Sequence, residues 1–84
     1  MKRPALTRDE LVTIVLEAIA TVTRLRIPPE RYGDNLFALG LDSLKAIQVV
    51  NFIEDRLDLM IDDSELKRFT SINAIADYFE SLPK

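Results

Sequence analysis

The chain has 84 residues, of which 48% are hydrophobic and 30% are charged, and its formal net charge is −3. This balance is typical of an ordinary globular domain rather than a disordered tail. Cysteine and histidine are both absent, which excludes disulfides and thiolate or imidazole metal sites. We expect one domain spanning 1–84, with its core at about 7–82.

The first predicted helix spans residues 8–25. It begins after Thr7, whose hydroxyl can accept from the amide of Glu10 while the Glu10 carboxylate reaches back, an arrangement called a capping box. Apolar residues then follow helical spacing on a single stripe: Leu11, Ile14, Val15, Ala18, Ile19, Val22 and Leu25. Pro28 and Pro29 end any continuation, because the residue before a proline is pushed out of helical geometry.

Residues 26–42 form a predicted long loop that contains two prolines and both glycines of the chain. Loops of more than ~12–15 residues are uncommon unless they serve a function or pack on themselves. The loop carries its own apolar residues, which we expect to anchor it on the core: Ile27, Leu36, Phe37, Leu39 and Leu41.

A second helix is predicted from Asp42 or Ser43 to about Leu57, followed by a short helical turn near Asp63–Arg68. Ser71 is expected to cap a last helix. The apolar side of that helix comprises Ile72, Ile75, Ala76, Phe79 and Leu82. No segment alternates with a period of two for long enough to predict a strand. The sequence therefore predicts an all-α fold, a small bundle of three main helices and one short helix.

The second helix has two apolar faces. Its core stripe comprises Ala46, Val49, Val50, Ile53 and Leu57. Leu44 and Ile47 lie outside this stripe, on a side that also carries Ser43, Gln48, Asn51 and Asp55. Either the loop covers the apolar pair, or the pair is exposed and rimmed by polar groups, as in a docking surface. We favour the docking surface.

Ser43 has three interpretations. It can be a plain helix-start residue, because serine favours that position. As a hydrolase nucleophile within Gly40–Leu44 it would need a base, and the chain has no histidine to supply one. As a serine modified by another enzyme it needs only exposure. A phosphate there would lie at a helix N-terminus, where the dipole favours negative charge, although Asp42 partly opposes that benefit.

Charge is unevenly distributed along the chain. Residues 1–31 hold six bases and four acids, so the remainder carries −5. An acidic half repels phosphate backbones, so we expect no nucleic acid partner. The acids Asp62, Asp63 and Glu65 could bind a divalent cation or mark a solvated helix start; we favour the helix start and expect no metal.

No stretch of the sequence approaches the ~20 apolar residues of a membrane span, and Met1-Lys2-Arg3-Pro4 lacks the apolar run of a signal peptide. We therefore expect no membrane association, and a cytoplasmic location. Met1 and a complete set of helices slightly favour a discrete protein over a domain excised from a larger synthase. We expect a monomer.

The run from Leu36 to Gln48 resembles the phosphopantetheine attachment site of acyl and peptidyl carrier proteins. Asp-Ser-Leu alone would be weak, but here a loop anchor, a glycine turn, an acid, the serine and an amphipathic helix occur in order. The similarity continues through 61–63 and 69–72 and covers about residues 7–82.

The resemblance implies a four-helix fold in which Ser43, flanked by Asp42, is esterified with 4'-phosphopantetheine from coenzyme A. The terminal thiol would carry acyl or aminoacyl groups as thioesters. Leu44 and Ile47 match family positions that face partner enzymes, and Gln48, Asn51 and Asp55 share that side. The implied partners are a phosphopantetheinyl transferase and an acyltransferase, ketosynthase or adenylating enzyme, for which this non-catalytic chain is a substrate.

The second helix is less acidic than that of fatty-acid carriers, since Ser43–Asp58 sums to −1. Residues 39–44 resemble polyketide carriers and 43–50 resemble peptidyl carriers of nonribosomal synthetases, so we favour specialised metabolism, with fatty-acid synthesis as the alternative. An unmodified helical interaction domain is a further alternative. A stand-alone enzyme is disfavoured because the sequence offers no base, metal cluster or glycine-rich phosphate loop.

Overall fold

The computed structural model describes residues 6–81, within which there are three α-helices and two 3₁₀ helices. The bounds are α1 Arg8–Thr23, α2 Ser43–Leu57 and α3 Ile72–Glu80, with 3₁₀ helices at Pro29–Arg31 and Asp63–Arg68. These residues contain no strand. The predicted all-α bundle is confirmed, and the turn at Pro29–Arg31 is an additional element. Leu82, predicted on the last helix, lies outside the described residues.

The capping box predicted for α1 is present. The Glu10 amide donates to Thr7 Oγ1 over 3.1 Å, and the Thr7 amide donates to Glu10 Oε1 over 2.9 Å. The helix ends at Thr23, two residues before the predicted end, because Arg24 adopts the left-handed region (φ 64°). The end of α1 is therefore set by the left-handed cap residue Arg24. The sequence pattern predicts instead that the helix is ended by Pro28 and Pro29, which lie further along the chain.

The core lies between the three α-helices, since α1 packs against both α2 and α3. The apolar face of α1 is buried at Leu11, Ile14, Val15, Ala18 and Ile19. The other two helices bury Val49, Val50, Ile53, Ile72, Ile75, Ala76, Tyr78 and Phe79. Ala46 and Leu57, at the ends of the predicted stripe of α2, are partly buried against the same cluster.

The long loop lies against the core, as predicted, but one of its five expected anchors is wrong. Leu36, Leu39 and Leu41 are buried and Ile27 is half-buried, whereas the Phe37 side chain is 65% exposed. The cause is the backbone around Leu36, whose amide donates to Thr70 O (2.9 Å) and whose carbonyl accepts from Leu41 N (3.0 Å). These bonds direct the side chains of Leu36 and Leu41 into the core and leave the Phe37 side chain in solvent.

The loop is also tied to the start of α3. The Leu36–Thr70 bond joins it to the residue before the Ser71 cap, and the Asn73 amide in the first turn of α3 donates to Tyr32 O over 3.0 Å. Backbone groups of the loop are thus satisfied by α3 rather than by water. These two bonds hold the loop against the start of α3.

Arg8 links the two ends of the described chain. Its guanidinium contacts the carboxylates of Asp77 and, at 2.8 Å, Glu80, both on α3. Hydrogen bonds from Arg8 to Asp77 and then Glu80 raise the pKa of the Arg8 side chain. Within residues 6–81, no helix has the length and apolar content needed to cross a bilayer.

Candidate functional site

Ser43 is the first residue of α2, and its side chain is exposed. The residue before it forms the helix cap: Asp42 Oδ1 accepts from Lys45 N, and Asp42 O accepts from Ala46 N, both at 2.9 Å. The prediction that Asp42 or Ser43 starts the helix is confirmed. The Asp42 carboxylate is therefore engaged with the helix backbone and fixes the position at which Ser43 emerges.

The Ser43 hydroxyl has no hydrogen-bond partner among residues 6–81. The sequence holds no histidine that could activate it as a nucleophile. An exposed hydroxyl without an internal base is suited to modification by an external enzyme. The structure thus gives the cap role to Asp42 and leaves the Ser43 oxygen accessible.

A tight turn delivers Ser43 to the surface. Gly40 has φ +102°, a conformation that side-chain-bearing residues rarely adopt, and its amide donates to Phe37 O over 3.1 Å. A Cβ atom at Gly40 would lie 3.6 Å from Leu25 Cδ1, so the constraint is conformational rather than steric. The next residue, Leu41, is 1% exposed and anchors the turn in the core.

The second apolar side of α2 is open to solvent. Leu44 is 64% exposed and Ile47 is 44% exposed. The interpretation in which the loop covers this pair is wrong, because the loop packs on the core through other residues. The polar residues predicted beside the pair are also exposed. We call this set the exposed face of α2: Leu44, Ile47, Gln48, Asn51 and Asp55.

The acidic segment after α2 makes backbone contacts. Asp62 caps the second 3₁₀ helix, with its carboxylate accepting from Ser64 N over 3.1 Å. Glu54 Oε2 accepts from Ile61 N over 2.7 Å. In the described part of the chain, no three acidic side chains are grouped as a metal site would require. The geometry at Asp62 favours a solvated helix start.

A protein family described as "Phosphopantetheine attachment site" matches residues 13–79. The chain belongs to this family. The match covers all of α2, the glycine turn before it and most of α1 and α3. The resemblance of residues 36–48 to carrier proteins is therefore confirmed at the level of the family.

Curated relatives are acyl carrier proteins. A mitochondrial protein of Schizosaccharomyces pombe, assigned as an acyl carrier protein, is 29% identical over 72 residues, covering 83% of this chain and 64% of the relative. The acyl carrier protein of Campylobacter concisus is 37% identical over 46 residues, covering 55% and 60%. Acyl carrier protein 4 of Arabidopsis thaliana, chloroplastic, is 28% identical over 76 residues, covering 90% and 53%.

The carrier chain matches less than two thirds of the length of each of these relatives. No solved structure matches it significantly.

The family's covalent cofactor is 4'-phosphopantetheine, and the residues at the start of α2 fit this group. The required acceptor is a hydroxyl, and the Ser43 hydroxyl is exposed and has no partner among residues 6–81. A phosphate ester would lie at a helix N-terminus, where free amides and the helix dipole favour negative charge. The cofactor supplies a thiol that holds acyl groups as thioesters.

Sequence reasoning missed two features near this site. The apolar pattern predicts Phe37 in the core, although Asn35, which favours local turns through its side chain, signals the outward bend. The Phe37 amide donates to Asn35 Oδ1 over 2.8 Å. The left-handed Arg24, which brings Leu25 towards the glycine turn, had no sequence signal because it is not a glycine or asparagine.

Proposed function

We propose that this chain carries acyl or aminoacyl intermediates as thioesters on a phosphopantetheine arm attached to Ser43, and that it serves polyketide or nonribosomal peptide synthesis. The observation that carries the proposal is the exposed Ser43 hydroxyl at the first residue of α2, inside the matched family region. The chain acts as a non-catalytic substrate of other enzymes.

Attachment is a phosphoryl-ester transfer. The Ser43 oxygen attacks the phosphorus of coenzyme A that bears the pantetheine, and a new O–P bond forms. The bond from that phosphorus to the bridging oxygen breaks, releasing adenosine 3',5'-bisphosphate. In this proposal the serine proton passes to a base of the phosphopantetheinyl transferase, because the neighbouring Asp42 carboxylate accepts from Lys45 N as the helix cap. Ser43 itself contributes the acceptor oxygen and its position on α2.

Partner enzymes would bind the exposed face of α2. Leu44 and Ile47 are exposed beside Ser43, and burial of such apolar groups at an interface contributes about 1–2 kcal/mol each. The partners we propose are the transferase and then an acyltransferase, ketosynthase or adenylating enzyme. In this proposal the chain is a cytoplasmic monomer and a single carrier domain over 1–84, on which these enzymes act.

The specialised pathway is supported by the composition of α2. Residues 43–58 sum to −1 because Lys45 and Arg56 offset three acids, and residues 43–50 resemble peptidyl carriers. Fatty-acid synthesis is the second candidate, because the curated relatives are named acyl carrier proteins without mention of polyketides or peptides.

Attachment is tested by intact mass spectrometry after incubation with a phosphopantetheinyl transferase and coenzyme A. We expect the parent to gain the mass of one phosphopantetheine group and Ser43→Ala to gain none, with unchanged helical circular dichroism. Ser64→Ala is the matched control, since Ser64 is also an exposed serine that follows an aspartate near a helix start. Loading that persists in Ser43→Ala, or that is lost in Ser64→Ala, would contradict the assignment.

The pathway is tested with the parent protein that carries the phosphopantetheine arm. It is incubated with purified enzymes of each type that attach acyl or aminoacyl groups to the arm. We expect efficient loading by an adenylating enzyme or a polyketide acyltransferase. The kcat/KM of loading by a fatty-acid acyltransferase should be at least tenfold lower. The reverse order of kcat/KM would assign the chain to fatty-acid synthesis.

A further inference from the structure

The segment before Ser43 contains a hydrogen-bonded turn that begins at Asn35. The Asn35 side chain accepts from Phe37 N at Oδ1 over 2.8 Å, and the Asn35 carbonyl accepts from Leu39 N over 3.2 Å. The next bond of the turn runs from Gly40 N to Phe37 O, at 3.1 Å. Asn35 therefore caps this turn with its side chain, as asparagine does at local turns.

The turn is anchored where it meets α2. The Leu41 amide donates to Leu36 O over 3.0 Å, and the Leu41 side chain is 1% exposed. The following residue, Asp42, caps α2 by accepting from Lys45 N. A series of backbone bonds and one buried side chain therefore joins the turn to the helix start that carries Ser43.

The Asn35 side chain is exposed, and its bond to Phe37 N is the only hydrogen bond that it makes within residues 6–81. Leu36 and Leu39, on either side of Phe37, are buried. Loss of the side-chain acceptor would leave the Phe37 amide to water, while the buried leucines would keep the loop on the core. The turn would then open locally without unfolding the bundle.

We propose that Asn35 is a positioning residue for phosphopantetheine attachment. Its side-chain oxygen holds the turn closed, the closed turn places the Asp42 cap, and the cap presents the Ser43 hydroxyl to the transferase in one orientation. Displacement of a reacting group by about 1 Å can slow a reaction by about 100-fold. A residue that does not touch the reacting atoms can therefore control the rate. This inference rests on the proposed carrier function.

Positioning has a kinetic signature that differs from those of stability and of docking. The transferase would bind the exposed face of α2, to which Asn35 does not belong, so an open turn should lower kcat and leave KM nearly unchanged. A loss of folded protein would instead raise KM, because unfolded chains are not substrates and only the effective concentration of the carrier falls. A loss of binding surface would also raise KM.

The experiment measures attachment of phosphopantetheine to the full chain by a phosphopantetheinyl transferase with coenzyme A, while the concentration of the chain is varied. We expect Asn35→Ala to lower kcat about tenfold and to leave KM within about twofold of the parent value. Asn35→Asp retains a side-chain acceptor for Phe37 N and should keep kcat within about twofold of the parent value. Asn35→Ser, with a shorter neutral acceptor, should give an intermediate kcat.

Two variants serve as matched controls. Asn73 is another exposed asparagine, and its side-chain oxygen accepts from Arg8 Nη2 over 3.4 Å. Asn73→Ala should leave both kcat and KM within about twofold of the parent values. Arg8→Ala removes the contacts to Asp77 and Glu80, so we expect it to lower stability without changing kcat. Melting curves establish a temperature at which every variant is folded.

A parental kcat in Asn35→Ala, or a raised KM with an unchanged kcat, would overturn the positioning role while leaving the carrier function intact. Equal losses of kcat in all three Asn35 variants would also overturn it, because the side-chain acceptor would then not be the cause. The same holds for a similar loss in Asn73→Ala, and for an Asn35→Ala variant that does not fold. A parent that gains no arm would instead overturn the proposed function.

Discussion

Arg24 terminates α1 in a backbone conformation that L-residues other than glycine and asparagine rarely adopt. Its φ is 64°, and its amide still donates to Ala20 O over 2.8 Å. The left-handed conformation places Cβ too close to the backbone and costs about 1–2 kcal/mol. A single residue thus stores strain at the point where the chain leaves α1 for the loop.

Replacing this residue tests the strain directly. Arg24→Gly should raise the free energy of unfolding by about 0.5–1 kcal/mol, because relief of strain exceeds the added entropy of an unfolded glycine. Arg26→Gly is the matched control; Arg26 has no positive φ, so its replacement should be neutral or destabilising. Urea denaturation measures the free energy of unfolding of both variants. An equal change in the two variants would contradict the role of the left-handed cap.

Helix α2 has a buried face and a second apolar face that is exposed. Ile53 is fully buried, whereas Ile47, which is chemically identical, is 44% exposed. Removal of buried methyl groups costs the lost transfer free energy and leaves a cavity. The same element therefore provides a buried position and an exposed apolar position within two helical turns.

The two isoleucines should respond in opposite ways. Ile53→Ala should lower the free energy of unfolding by about 2–5 kcal/mol. Ile47→Asp should lower the melting temperature little but weaken acyl transfer with a cognate enzyme at least tenfold. Melting curves and single-turnover transfer of the loaded proteins measure both effects. Unchanged transfer with collapsed stability in Ile47→Asp would place Ile47 in the core.

At the scale of the whole molecule, the first helix is joined to the last by Arg8. The Arg8 side chain is 35% exposed and contacts Asp77 and Glu80, so solvent screens the pair and its contribution to stability is modest. Because the pKa of Arg8 is raised, its contribution is fully present below the ordinary arginine pKa. This stabilising contribution is lost only as pH rises through the higher pKa that Arg8 has in the folded protein.

We expect Arg8→Ala to lower the free energy of unfolding by about 0.5–1 kcal/mol at low salt, with a smaller loss at high salt. The matched control is Arg31→Ala, which removes a local pair with Asp34 at i,i+3 and should cost less. Denaturation at two salt concentrations measures the difference. An effect of Arg31→Ala equal to that of Arg8→Ala would show that the link between helices adds nothing.

Features that depend on neighbouring residues could be predicted from the sequence. The Thr7–Glu10 box, the start of α2 and the second 3₁₀ helix were all expected, because caps and apolar spacing act within one or two turns. The exposed pair Leu44 and Ile47 also followed from helical spacing. The position of Ser43 at the start of α2 could therefore be predicted from the helix cap and the apolar spacing close to it in the sequence.

Features that depend on distant parts of the chain could not be predicted. The bond from Leu36 N to Thr70 O ties the loop to the start of α3, and the Arg8 contacts join opposite ends of the described residues. Spacing carries no information on such pairs.

The two bonds from the loop to α3 couple the attachment region to the last helix. Leu36 N–Thr70 O and Asn73 N–Tyr32 O both break if the start of α3 frays. We therefore expect the Leu36–Leu41 segment and the first turn of α3 to open together in native-state hydrogen exchange. Their amides should exchange with a common protection factor, so an opening of α3 that never reaches α2 would still free the turn before Ser43.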